Sequence, residues 1–197
     1  MGKIVCLMGK SSTGKDTILQ LLFSRRKNKL HKIIPYTTRP IRAGETHGKD
    51  YFFVDEEGYL TLREEKKIIE ERAYDTVHGI WRYFTVADQQ FSQKDWDYCL
   101  VGTLEMYHNL CSYFGKERVL PVLVDLEDGE RLQRALLREK QQEHPKYQEM
   151  CRRFLADSED FSEENIKKAG IEKRFFNEKL EECVSEIEEY LKSQGIQ

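Results

Sequence analysis

The stretch "KIVCLMGKSSTGKDT", residues 3 to 17, constrains the fold of this chain more than any other part of it. An apolar run of strand length passes through glycine, four residues, glycine and lysine into a pattern with apolar positions on one helical face. A strand that enters a helix through a tight glycine turn is the opening half of a β-α-β unit, and such units build a parallel sheet covered on both faces. Thr17, Ile18, Leu21 and Leu22 are the expected buried face of that first helix.

Three more apolar runs read as buried parallel strands, "YCLVG" (98 to 102), "VLPVLVDL" (119 to 126) and "EKRFF" (172 to 176), each followed by a helical pattern. After the last, Leu180, Cys183, Val184, Ile187, Tyr190 and Leu191 share a face. Between 32 and 86 the runs "DYFFV", "IIEERAYDTV" and "WRYFTV" are aromatic and β-branched, which predicts a small antiparallel insertion without long amphipathic helices. From 128 to 170 the chain is polar and helical in pattern, broken at Pro145, as suits an exposed flap. The expectation is one α/β domain over 1–197: a core of 1–31, 87–127 and 171–197, an insertion of 32–86 and a lid of 128–170.

With 32 Lys and Arg against 35 Asp and Glu the chain lacks the basic excess of a general nucleic-acid binder, so any anion site is local. Five scattered cysteines match neither a disulfide framework nor a paired-ligand metal site and read as reduced thiols of a cytoplasmic protein. The apolar runs are too short to span a bilayer, and the N-terminus lacks a long apolar leader, so no membrane partner is expected. Oligomeric state has no signature here.

Successive backbone N–H groups opening onto a helix N-terminus form a local positive site for phosphate. Gly9 and Gly14 permit the turn, Ser11, Ser12 and Thr13 complete it, and Lys15 reaches the outer phosphates as a point charge. The dinucleotide pattern GxGxxG is absent, which favours a triphosphate. Asp16 stands where a hydroxyl residue normally meets magnesium. It is a favourable first-turn carboxylate, a water-mediated magnesium ligand, or a bystander that leaves the metal to the phosphates and Thr17.

Further on, "YTTRPIRAGETHGKDYFFV" carries Arg39 and Arg42 three apart with Gly44, Glu45 and Tyr51, a set suited to a second anion. Two phosphate-reading elements mean two nucleotides and transfer of a phosphoryl group between them. The string resembles the monophosphate-binding signature of guanylate kinases, T-T-R-x-x-R-x-G-E-x-x-G-x-D-Y-x-F, at Thr37, Thr38, Arg39, Arg42, Gly44, Glu45, Gly48, Asp50, Tyr51 and Phe53.

The resemblance implies a kinase that transfers the γ-phosphoryl group of Mg-ATP to GMP. It implies that Arg39, Arg42 and Tyr51 grip the GMP phosphate, with Glu45 also among the GMP-binding residues. "IIEERAYDTVHGIWRYFT" is similar to the family's guanine-reading region, which puts Glu70 on the base with Tyr83 and Thr85 beside it. A carboxylate accepts from guanine's N1–H and amine, where adenine offers an acceptor. In the polar flap, Arg134, Arg138 and Arg153 match the family's lid arginines and join Lys15 and Arg39 as the catalytic set. Asn177 matches a contact to the donor's adenine and is equally a helix N-cap. The donor set is then Gly9, Ser11, Ser12, Thr13, Gly14, Lys15, Asp16, Thr17 and Asn177, with magnesium at Asp16 and Thr17.

The chain departs from the family in three places. Ser12 and Asp16 replace a glycine and a hydroxyl residue, Pro35 stands where a serine is frequent, and the D-x-D segment appears as "LVGTLEMY". Glu105 is the nearest acid to the lost pair, and Asp16 is a candidate replacement. Two other readings stay open: a non-catalytic module binding GMP or a protein, and a kinase of another nucleotide or a phosphorylated sugar.

Overall fold

The computed structural model describes residues 2–25, 30–42, 44–76 and 79–196. The chain runs through β1 (Ile4–Met8), α1 (Lys15–Arg25), β2 (Leu30–Lys32), β3 (Tyr36–Thr37), β4 (Phe52–Phe53), α2 (Glu56–Glu64), β5 (Ile68–Thr76) and β6 (Gly79–Val86). It continues through β7 (Asp97–Gly102), α3 (Leu104–Phe114), β8 (Val119–Asp125), α4 (Asp128–Lys140), α5 (Tyr147–Asp160), α6 (Glu163–Lys168), β9 (Arg174–Phe176) and α7 (Leu180–Ser193).

The main sheet is parallel with strand order β2-β7-β1-β8-β9, so the strand that carries the glycine loop lies at its centre. Every residue of β1 is buried. Alternation then sorts them: Val5 and Leu7 join Ile18, Leu22, Val184 and Ile187 on one face, while Ile4, Cys6 and Met8 join Met106, Leu110 and Ile166 on the other. Each such aliphatic side chain contributes about 1.5–3 kcal/mol when fully buried, so the strand at the root of the loop is anchored in the core on both faces.

Four sheet strands were expected from the apolar runs, and the sheet has a fifth, β2, whose three residues are too short to carry a periodic signal. Because β2 reaches Lys32 and Ile33 packs in the main core, the insertion begins after residue 33. The buried face of α1 is Ile18, Leu19 and Leu22, whereas Thr17 is exposed. The helix starts at Lys15, and steps of 3.6 residues turn Thr17 away from the core toward the loop.

The insertion folds as a second sheet of order β4-β3-β6-β5. It is not wholly antiparallel, since β3 and β4 pair in parallel. It also holds a short helix, α2, capped by Asp55 accepting from Gly58 N–H at 2.8 Å, which seats Tyr59 against Phe84 and Val86. The flap is helical as expected, and Pro145 lies between the end of α4 and the start of α5. Among the described residues, no helix is long and apolar enough to cross a membrane and no three His, Cys, Asp or Glu side chains are grouped to hold a metal ion.

Candidate active site

The glycine loop is folded around close approaches. A Cβ at Gly9 would lie 2.3 Å from the Val124 carbonyl oxygen, and one at Gly14, where φ is 87°, would lie 2.3 Å from Asn177 Nδ2. Any side chain at either position would force strand β8 or the Asn177 amide away. Asn177 is 2% exposed and donates to the Thr13 carbonyl at 2.7 Å, while its own N–H bonds the Asp125 carbonyl. It does not cap α7, whose N-cap is Lys179. Ser12 has φ of 67° and a buried Oγ without a hydrogen-bond partner, so the replacement of glycine by serine is felt as left-handed backbone and an orphaned hydroxyl.

Beside the loop lies a cavity of 540 Å³ lined by Ser12, Lys15, Asp16, Thr17, Arg134 and Arg138, with Gly14 and Asn177 at its wall. The Lys15 ammonium rests 3.4 Å from the Lys10 carbonyl. Burial pulls its pKa down, with Asp16 and Asp157 pulling the other way. Asp16 and Thr17 stand exposed at the cavity rim, an oxygen pair of carboxylate and hydroxyl.

Two residues absent from the motif reading bind the flap to this loop. Asp157 on α5 accepts from Ser11 N–H at 2.7 Å. Arg131 on α4 is fully buried between Asp128 at 3.0 Å and Asp157 at 3.4 Å, with its guanidinium 3.9 Å from the Phe154 ring centre. No local pattern in the sequence separates Arg131 from the exposed arginines around it. Arg153 does not line the cavity, and pairs instead with Glu149 at 2.9 Å alongside Arg152. Arg134 donates to the Asn177 carbonyl at 3.0 Å.

The second site is built on one face of the β5–β6 hairpin. A register shift between Ile68 and Glu70 sets Glu70 opposite Thr85 and Arg72 opposite Tyr83. Thr85 Oγ1 donates to Glu70 Oε1 at 2.7 Å, and Arg72 Nε lies 3.3 Å from Glu70 Oε2. Burial raises the Glu70 pKa, while Arg72 and then Thr85 hold it down. Glu70 Oε2 has no hydrogen-bond partner.

Arg39, 3% exposed, is gripped by Glu45 through two bonds of 2.7 and 2.5 Å, and sits 5.0 Å from the Tyr51 ring centre. That fork, with Arg42 N–H adding a bond of 2.9 Å, holds the Glu45 pKa down at about 2. Tyr83 meets Tyr51 edge-on at 5.8 Å and adds to the stabilisation of the Arg39 cation. Arg42 is exposed, its guanidinium 5.9 Å from the Trp81 ring. Glu105, exposed in the first turn of α3, lines a second cavity of 440 Å³ with Arg72, Tyr74, Thr103 and His108. Glu105 and Asp16 therefore line different cavities.

The family model for guanylate kinase matches residues 1–103, more than half of the chain. The chain belongs to the guanylate kinase family. Among its guanylate kinase relatives, the chloroplastic/mitochondrial guanylate kinase 2 of Oryza sativa subsp. japonica is 32% identical over 140 residues, 70% of this chain and 47% of that protein. The guanylate kinase of Anaplasma phagocytophilum is 39% identical over 83 residues, 42% of this chain and 40% of that one. The chain thus spans less than half the length of the curated relatives it matches. The crystal structure of guanylate kinase from Anaplasma phagocytophilum superposes over 100% of this chain and 87% of its own, with a TM-score of 0.64 at 22% identity, which establishes the guanylate kinase fold.

Proposed function

We propose that this protein transfers the γ-phosphoryl group of ATP to GMP, giving ADP and GDP. The observation that carries the reading is Glu70: a buried carboxylate with one oxygen bonded by Thr85 and the other in an ion pair with Arg72 at 3.3 Å that falls short of a hydrogen bond. Guanine's N1–H and amine match the acceptor capacity that remains on this carboxylate, and adenine does not. Arg39, Arg42 and Tyr51 hold the acceptor phosphate, and Glu45 orients the Arg39 fork.

On the donor side, the loop amides and Lys15 hold the triphosphate, with Asn177 bracing the loop from behind. Arg134 and Arg138 supply positive charge where it spreads over the transferring group, and Arg153 joins them only by leaving Glu149. Asp16 and Thr17 would hold magnesium, since a hard cation that keeps several waters suits one carboxylate and one hydroxyl at an open rim. The metal supplies charge neutralisation to the donor phosphates. The segments 34–86 and 128–170 serve as acceptor-binding insertion and lid. The five free cysteines suit a reducing compartment such as the cytoplasm.

A coupled ADP-release assay across GMP, dGMP, IMP, AMP, CMP and UMP tests this, with GMP and dGMP expected as acceptors and AMP as a poor one. Equal rates with AMP and GMP would remove the role given to Glu70. The second reading, a kinase of another acceptor, draws on the cation that Arg72 adds beside Glu70, and turnover confined to a different monophosphate would establish it.

A further inference from the structure

We infer that Arg72 is a second reader of the acceptor base, donating to the O6/N7 edge of guanine while Glu70 accepts from N1–H and the amine. The inference rests on the GMP reading above. Arg72 lies two residues beyond Glu70 on β5 and faces Tyr83 across the ladder, so it shares the face that carries Glu70 and Thr85. Its Nε is buried without a hydrogen-bond partner, 3.3 Å from Glu70 Oε2, which also lacks one. The two charges attract, but neither atom makes a hydrogen bond in this arrangement.

A buried ion pair whose members make no hydrogen bond leaves hydrogen-bonding capacity on both, and a ligand presenting an acceptor next to a donor completes both. Guanine does so, with O6 adjacent to N1–H. Adenine presents the reverse order, an amine beside an acceptor, and would set donor against donor and acceptor against acceptor. Arginine against guanine O6 and N7 is also the commonest specific contact between that side chain and a base. Arg72 reaches solvent through the 440 Å³ cavity it shares with Thr103, Glu105 and His108, which gives a base a route to it. Hypoxanthine keeps O6 and N1–H, so IMP retains the contribution of Arg72 and loses only the amine contact.

The test is steady-state kinetics of the full chain with GMP and 6-thio-GMP, in which the weaker acceptor sulfur replaces O6 and the Glu70 edge is unchanged. The wild-type protein is expected to favour GMP by roughly tenfold in KM. Arg72→Met is expected to raise KM for GMP by roughly ten- to hundredfold, with a smaller change in kcat, and to bring the two acceptors to parity. Arg72→Lys, which keeps the charge and a donor, should restore part of the preference.

An equal rise in KM for both acceptors would overturn the inference, since it would show Arg72 acting only through the charge of Glu70. An unchanged KM for GMP would overturn it as well. Should Arg72→Met fail to fold by thermal melting, parity of the two acceptors in the wild-type protein is the overturning result. If the wild-type protein does not use GMP, the GMP reading falls and takes this inference with it. GMP turnover with an unaltered acceptor preference in Arg72→Met removes the role of Arg72 alone.

Discussion

In the proposed reaction the loop at Gly9 to Thr17 and the β5–β6 face would hold anions by opposite means. Around Gly9 to Thr17 the working groups are backbone amides, kept in place by a buried strand below and by Asn177 behind. On the acceptor face they are side chains, Arg39 with Glu45 six residues on, and Glu70 with Thr85 across the ladder and Arg72 two residues along the same strand. A backbone cradle needs only glycine where a Cβ would collide, so it tolerates Ser12 and Asp16 at other positions. A side-chain site depends on every partner and on its charge state.

The largest expected effect separates charge from cradle. Lys15→Met should lower kcat by about a hundred- to thousandfold, since it removes a cation aimed at the transferring group, while KM for GMP stays near its wild-type value. A matching loss of GMP affinity would show that the two regions are not separate. On the acceptor face, Glu70→Gln should raise KM for GMP by roughly ten- to hundredfold and narrow the selection against AMP, read from kcat/KM for the two acceptors. If kcat falls and KM does not, the carboxylate works on the chemistry and not on the base.

The third prediction uses acid. The Glu45 carboxyl is held at about 2, below its ordinary 4.5, so its stabilisation is complete above pH 4.5 and disappears as pH falls toward 2. Thermal melts should show a loss on the order of 2 kcal/mol from this pair across that window after allowance for solvent screening, and Glu45→Gln should flatten that part of the profile. A variant with the same acid profile as the wild type would mean that the fork does not stabilise the fold.

The smallest effect returns to the loop. Ser12→Gly removes a left-handed serine and an orphaned hydroxyl, and should stabilise the protein by up to about 1 kcal/mol in denaturant unfolding, because part of the gain is lost to glycine's freedom in the unfolded chain. A destabilised variant would mean that the Ser12 hydroxyl has a partner in solution.

Legibility followed the same division. The loop could be read because spacing, strand and helix are contiguous, and Arg39, Arg42, Glu45 and Tyr51 because they lie within thirteen positions of one another in a single string. Strand β2 was too short to show a period, and α2 is a nine-residue helix with one buried residue, Tyr59, between charged ends. Arg131 and Asp157 look like ordinary polar positions of an exposed helix until the flap is seen against the loop. Arg153 looked equivalent to Arg134 and Arg138, but its neighbour one helical turn away, Glu149, takes it to another surface.

By itself, the sequence determined the parallel sheet with its strand–glycine loop–helix unit and the family membership, because local spacing and hydrophobic period are sufficient causes of each. Only the tertiary structure decided that Asp157 takes the Ser11 amide and that Thr85, across the ladder, donates to Glu70. Those pairings depend on a strand register and on the seating of one helix against a loop. Register and seating are set by burial across the whole chain, which no single stretch of residues contains.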